Sequence, residues 1–189
     1  MQPHAGYRIE RVAGGPETTL RIARGAASGV IDLAAQAHGE VQSELAEISP
    51  GGRSGAWRIE TAAFACGWPF GFAIVEDPDA LSAFLLVGPN DAMIWVAGPL
   101  ARTRATPIEN LADDGQTVRE VAAAGEDARI DLDYTIDDEA WWQRRYAVVW
   151  TPGDVLVVSA QARRTDEGAT RVAVDLVAQS LAHVPLELQ

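Results

Sequence analysis

Lysine is absent from this chain, and cysteine is nearly absent. All fifteen basic residues are arginines, set against 27 acidic residues, and the formal net charge at pH 7 is -12. Nucleic acids and anionic membranes attract cationic surfaces. The charge balance therefore argues against nucleic-acid binding and against attachment to a membrane. The absence of lysine also excludes a Schiff base and a lysine-containing phosphate loop.

The single cysteine, Cys66, excludes an intramolecular disulfide and argues against a cysteine-based zinc site. Paired with one of the three histidines, it would be the only distinctive nucleophile of an enzyme. Cys66 lies in an apolar stretch, and no histidine carries a local signature. We therefore expect a buried structural cysteine and no catalytic residues.

Long hydrophobic runs and targeting segments are also missing. No stretch approaches the ~18 uninterrupted apolar residues of a membrane span, and residues 1–8 lack the apolar run of a signal peptide. We therefore expect a cytoplasmic protein. With 189 residues and 48% hydrophobic content, the chain is long enough to bury one core, as a single domain over residues 1–189.

Hydrophobic alternation predicts strands that arrive in hairpins. It is strongest over 128–136, and after a turn at 137–140 the segment 141–150 is predicted to return antiparallel. With a loop of four residues, Trp142 would pair with Ile136. Further strands are predicted over 7–12, 18–23, 53–66, 72–76, 81–87, 93–97 and 155–161.

Apolar residues at helical spacing predict three helices, over 28–48, over 108–124 and after residue 165. Ser28 would cap the first, and Thr165 or Asp166 would cap the last. Val172 and Leu176 would lie on the apolar stripe of the last helix. The order of elements predicts an α+β fold in which helices pack against a mostly antiparallel sheet.

The last predicted strand runs into Ala160-Gln161-Ala162, and the final helix ends Val177-Ala178-Gln179-Ser180-Leu181. With these features, residues 128–184 resemble the Mog1/PsbP-like superfamily, whose domains end in long antiparallel strands and a closing helix. The resemblance implies an α-β-α sandwich without enzymatic activity. Its members include a Ran-binding protein, photosystem II subunits, envelope proteins and effector chaperones, so the fold does not select a function.

Residues 109–139 hold eleven acidic residues and only two arginines. Calcium needs six to eight oxygens from a shaped loop, and the spacing of an EF-hand is absent. We therefore expect no metal site and no cofactor. A solvated acidic strand would instead suit a protein partner with a basic surface, with Asp131 and Asp133 as contact residues.

Aromatic side chains supply the remaining candidate residues, because Trp and Tyr are common at binding hot spots. Trp68 and Phe70 lie in a turn rich in Pro and Gly, and Trp141 is predicted on the solvent side of its hairpin. Arg144 falls on the opposite, aromatic face, together with Tyr146. There it would act as a cationic anchor for a ligand.

Three functional hypotheses follow. The first is a non-catalytic protein-interaction or chaperone-like binding module. The second is a small-molecule binding protein with an apolar cavity under the sheet, where Trp142, Tyr146 and Trp150 would form a wall around Arg144. The third is an enzyme of unrecognised type that uses Cys66. We expect the first.

Overall fold

The computed structural model describes residues 19–24, 27–32, 58–60, 64–69, 71–75, 82–124 and 127–183. Twelve strands lie in this part of the chain: β1 (Thr19–Arg24), β2 (Ala27–Asp32), β3 (Arg58–Glu60), β4 (Phe64–Gly67), β5 (Ala73–Val75), β6 (Ser82–Val87), β7 (Met93–Ala101), β8 (Thr117–Ala124), β9 (Asp127–Ile136), β10 (Glu139–Thr151), β11 (Asp154–Arg163) and β12 (Ala182–His183). One α-helix, α1 (Glu167–Gln179), joins them. This helix is not long and apolar enough to cross a membrane.

The strands form two antiparallel sheets. The smaller sheet has the order β12-β4-β3-β1-β2, and the larger has the order β5-β6-β7-β11-β10-β9-β8. Strands that are neighbours in the larger sheet are also consecutive in the sequence, with one exception. The exception is the pair of β7 and β11. The predicted α+β class with a mostly antiparallel sheet and a closing helix is confirmed, although the strands divide into two sheets.

Each face of the larger sheet carries its own core. On one face the smaller sheet and α1 cover a large cluster that includes Phe84, Ile94, Trp142 and Val174. On the other face the short 3₁₀ helices Arg102–Ala105 and Ile108–Leu111 cover a smaller cluster around Ile130 and Leu132. We name these the helix face and the 3₁₀ face of the sheet.

Most predicted strands are confirmed. The segment 18–23 forms β1, whereas the single strand predicted over 53–66 is two strands, β3 and β4, which pair antiparallel. The hairpin of β6 and β7 is present as predicted, and so is β11. The strand predicted over 7–12 lies outside the described residues.

Two predicted helices are wrong where the structure describes them. Residues 27–32 form β2, which pairs with β1 at Ala23↔Ser28, and residues 33–48 lie outside the described part. Of 108–124, only Ile108–Leu111 is helical; Gly115, with φ +85°, ends the turn, and β8 follows. Both segments pair with a neighbouring strand, and such tertiary pairing overrides a local helical pattern.

The final helix is rotated relative to the prediction. Val172 is 71% exposed and Leu176 is 38% exposed, whereas Val174 and Ala178 are buried against the sheet. Asp166 is the N-cap residue, although its side chain makes no capping bond to the helix. The apolar residues alone did not fix the rotation, because charged side chains of the same helix also lie against the sheet.

The turn between β9 and β10 corrects the predicted register. Only Asp137 and Asp138 form the turn, with φ of 49° and 64°, so that Glu139 already pairs with Ile136. Trp142 therefore pairs with Asp133 instead of Ile136. The observed pairing is shifted by three residues from the predicted one. Because side chains alternate between the two faces of a strand, a shift by an odd number brings the opposite set of β9 side chains next to those of β10.

The turn makes a testable contribution to stability. A left-handed backbone conformation destabilises the fold by roughly 1–2 kcal/mol at a non-glycine residue, and the cost is largest for β-branched side chains. We expect Asp138→Gly to be more stable than Asp138→Val by about 1–2 kcal/mol in urea unfolding. Both variants lose the same charge, so each is the control of the other. Equal stabilities would show that residue 138 does not hold this conformation in solution.

Candidate functional site

A buried ion pair joins β9 to β10 on the helix face. Arg144 is 1% exposed, and Asp131 is fully buried. The two residues are direct partners in the strand register. Arg144 Nε donates to Asp131 Oδ1 at 2.6 Å, and Nη2 donates to Oδ2 at 2.8 Å. This bidentate arrangement is the strongest geometry available to an arginine and a carboxylate.

Helix α1 contributes further partners to the pair. Arg144 Nη1 donates to Asp175 Oδ1 at 2.8 Å, and the Tyr146 hydroxyl donates to the same oxygen at 2.6 Å. Arg171 Nη2 donates to Asp131 Oδ2 at 3.3 Å. Positions 167, 171 and 175 are four residues apart, so they lie on one side of the helix.

A bulge in β8 adds a second arginine from the sheet. The register between β8 and β9 shifts between Val118 and Glu120. Arg119, at this position, binds both carboxylate oxygens of Glu167, at 2.6 and 3.1 Å. Its guanidinium also lies 3.6 Å from Asp131. Bulges commonly redirect a side chain in this way.

Together these residues form the helix–sheet ion cluster, which consists of Arg119, Arg144, Arg164 and Arg171 with Asp131, Asp133, Glu167 and Asp175. Four positive and four negative charges cancel. Each carboxylate contacts at least one guanidinium. The cluster therefore holds α1 against β8, β9 and β10.

The ionisation of the cluster follows from burial and pairing. Burial by itself would raise the pKa of Asp131, but the hydrogen bond and charge of Arg144, aided by Arg171 and Arg129, outweigh it and hold the pKa below its ordinary value. Burial by itself would lower the pKa of Arg144, but the hydrogen bonds to Asp131 and Asp175 outweigh burial and raise the pKa above its ordinary value. For Tyr146, burial and the hydrogen bond to Asp175 both raise the pKa.

Two predicted site residues thus lie inside the protein. Asp131 is buried and paired, so it is not on a surface that a basic partner would reach. Arg144 faces the aromatic side of β10 as expected, but its guanidinium is engaged by Asp131 and Asp175. A carboxylate of the protein therefore occupies the position that the sequence interpretation gave to a ligand. Asp133 is 36% exposed and contacts Arg164 at 3.3 Å.

The aromatic candidates are buried as well. Trp68 is 6% exposed and belongs to the core of the helix face, where its Nε1 donates to the carbonyl of Phe72 at 2.7 Å. Trp141 is 8% exposed, stacked on Tyr134 and beneath Arg163. The predictions of exposed positions for Trp68 and Trp141 are therefore wrong. Phe70 lies outside the described residues.

The remaining chemical candidates in the described part of the chain are Cys66 and His183, which lie on the neighbouring strands β4 and β12. Cys66 is fully buried in the core, and His183 stacks on Trp150 at a ring distance of 3.6 Å. Within the described ranges, no group of three His, Cys, Asp or Glu side chains is placed to hold a metal ion. The four acidic residues of the helix–sheet ion cluster instead contact arginines.

A groove opens between the C-terminal half of α1 and strands β8 to β10. Its volume is about 250 Å³, and its lining residues are Ala122, Ala123, Asp127, Ala128, Arg129, Tyr146, Val148, Ala178 and Gln179. It begins where the helix–sheet ion cluster ends, and Tyr146 borders both. Sequence reasoning named Tyr146 as a wall residue but missed Asp127 and Arg129. The alternation of side chains along β9 could have identified them, because Asp127, Arg129 and Asp131 lie on the same face of the strand.

Neither a protein-family model nor a curated protein matches the sequence. LpqN of Mycobacterium tuberculosis, involved in cell envelope biogenesis, is similar in structure, with 14% identity and a TM-score of 0.47 over 65% of this chain and 83% of that chain. The cyanobacterial PsbP (CyanoP) of Synechocystis sp. PCC 6803 shows 11% identity and a TM-score of 0.39 over 65% and 88%. Both have the Mog1/PsbP-like fold. The similarity concerns the fold alone.

The buried pair gives a sharp stability prediction. Arg144→Met leaves Asp131 buried without its main partner, and such a loss costs about 3–5 kcal/mol. The double variant Asp131→Leu/Arg144→Met removes both charges, so we expect it to recover most of that loss. Urea unfolding of the native protein, the two single variants and the double variant measures the coupling free energy between Asp131 and Arg144.

The matched control is Glu139→Gln, which breaks the exposed pair with Arg163. Exposed pairs contribute about 0–1 kcal/mol, so we expect little change. If Arg144→Met cost no more than Glu139→Gln, the helix–sheet ion cluster would not be what holds α1 in place.

Proposed function

We propose that this protein is a non-catalytic binding module whose ligand site is the groove between α1 and strands β8 to β10. The observation that carries the proposal is the groove itself, a concave site with an apolar floor and a few polar groups in its wall. That combination is typical of small-molecule sites. This is the second of the three hypotheses, with the groove in place of a cavity around Arg144.

The construction of the groove supports this function. Its floor includes the short side chains of Ala122 and Ala178, where larger residues would fill the space. The helix–sheet ion cluster fixes the helix at the adjoining end. A site of this kind is preformed, so that binding need not order its walls, and a preformed site binds more tightly for the same contacts.

A second candidate function is binding of a protein partner with a basic surface, in an interaction or chaperone-like role. It is favoured by exposed acidic residues near the end of the larger sheet where the turn joins β9 to β10. Asp137 and Asp138 are exposed in that turn, and Asp114 is exposed in the segment before β8. These three residues take part in none of the ion pairs among the described residues. Such a surface attracts a cationic partner and weakens with salt.

The groove is tested with two neighbouring variants of β8. Ala122 lines the groove, whereas Val121 is 45% exposed and belongs to the 3₁₀ face. We expect protein purified gently from its own host to retain a small molecule in native mass spectrometry. Ala122→Trp should lose that mass, because the indole fills the groove, and Val121→Trp should keep it. Equal retention by both variants would refute the groove as the site.

The partner-binding candidate is tested by charge removal at the end of the sheet. We expect the triple variant Asp114→Asn/Asp137→Asn/Asp138→Asn to lose a protein that co-purifies with the native chain at low salt and dissociates at high salt. Asp154→Asn, at the opposite end of the sheet, is the control. A partner that stays bound to the triple variant would rule out this acidic surface.

A further inference from the structure

Two side chains of opposite charge line the groove without pairing with each other. Asp127 and Arg129 are two positions apart on β9, so both lie on the helix face, roughly 7 Å apart along the strand. Each is held by a different neighbour: Asp127 Oδ1 accepts the N–H of Val149 at 2.8 Å, and Arg129 Nη2 donates to Glu120. The groove therefore presents one anion, Asp127, and one cation, Arg129, whose charge is shared with Glu120.

Both groups keep bonding capacity. The Nε of Arg129 is buried and has no hydrogen-bond partner in the part of the chain that the structure describes. Asp127 uses one carboxylate oxygen for Val149. A buried donor without a partner is costly, and in a native structure it calls for an explanation, such as a bond to water or to a bound molecule.

The rest of the groove sets the size and polarity of that molecule. Its floor is apolar and made of short side chains, among them Ala122, Ala178 and Val148. Its volume of about 250 Å³ is below the ~300–1,000 Å³ of sites for drug-sized ligands. The ligand is therefore small, with an aliphatic part next to its charges.

We propose that the groove binds a free α-amino acid with an aliphatic side chain, its carboxylate on Arg129 and its ammonium on Asp127. This inference rests on the proposed function of the groove as a ligand site. Charge-assisted hydrogen bonds are the strong ones in such sites. A simple anion would leave the second carboxylate oxygen of Asp127 unbonded, and a simple amine would leave Arg129 with Glu120 as its only anionic partner, whereas a zwitterion adds a bond to each.

Three probes of nearly equal shape separate the two charges: L-leucine, 4-methylpentanoate, which lacks the amine, and 3-methylbutylamine, which lacks the carboxylate. Binding to the native protein is measured by isothermal titration calorimetry. We expect L-leucine to bind about tenfold or more tightly than either analogue, since each analogue lacks one charge-assisted bond.

Two variants then assign each charge to its residue. Arg129→Gln should remove the preference for L-leucine over 3-methylbutylamine, and Asp127→Asn should remove the preference over 4-methylpentanoate. Asn keeps an oxygen that can accept the N–H of Val149. Asp137→Asn, at the far end of β9, should leave all three affinities unchanged.

The outcomes separate this inference from the function on which it rests. Equal binding of the three probes to the native protein, or no binding of L-leucine, overturns the inference. If a co-purifying mass still disappears in Ala122→Trp, the groove nevertheless remains a ligand site for another molecule. If Ala122→Trp leaves both that mass and L-leucine binding unchanged, the proposed function fails together with the inference.

Discussion

The buried pair between Arg144 and Asp131 is the interaction on which the rest of the sheet–helix arrangement depends. It forms because a turn of only two residues, Asp137 and Asp138, places these side chains opposite each other. Removal of two charges from water costs several kcal/mol, and only good geometry with further hydrogen bonds offsets it. Asp175 and Arg171 supply those bonds from α1, so the pair and the helix position depend on each other.

The same arrangement shapes the groove. Along one side of α1, positions 167, 171 and 175 contact the sheet through charges, and beyond them Ala178 and Gln179 border an open space. An apolar contact would tolerate small slides of the helix, whereas a bidentate pair accepts one register. The helix–sheet ion cluster is thus a positioning device, and the open groove beside it is the surface that remains for a ligand.

Sequence reasoning succeeded where one local pattern decides the outcome. The alternation over 128–136 and the hairpin of β6 and β7 gave correct strands. It failed at 28–32 and 117–124, because pairing with the adjacent strand of a hairpin overrode a helical pattern. The candidate residues show the same division. Arg144 was placed on the correct face of β10, but its partner depended on a turn length that the residues alone left open.

The sequence by itself determined the α+β class, the antiparallel pairing, the buried cysteine and the excess of acidic charge, since these depend on composition and short-range periodicity. Only the tertiary structure decided that Asp131 is buried, that Trp68 and Trp141 are core residues, and that Asp127 and Arg129 line a groove. The physical reason is that burial and pairing depend on register and on helix rotation. The length of one turn set the register, and contacts between distant segments set the helix rotation, so the pattern of residues within one segment predicted neither.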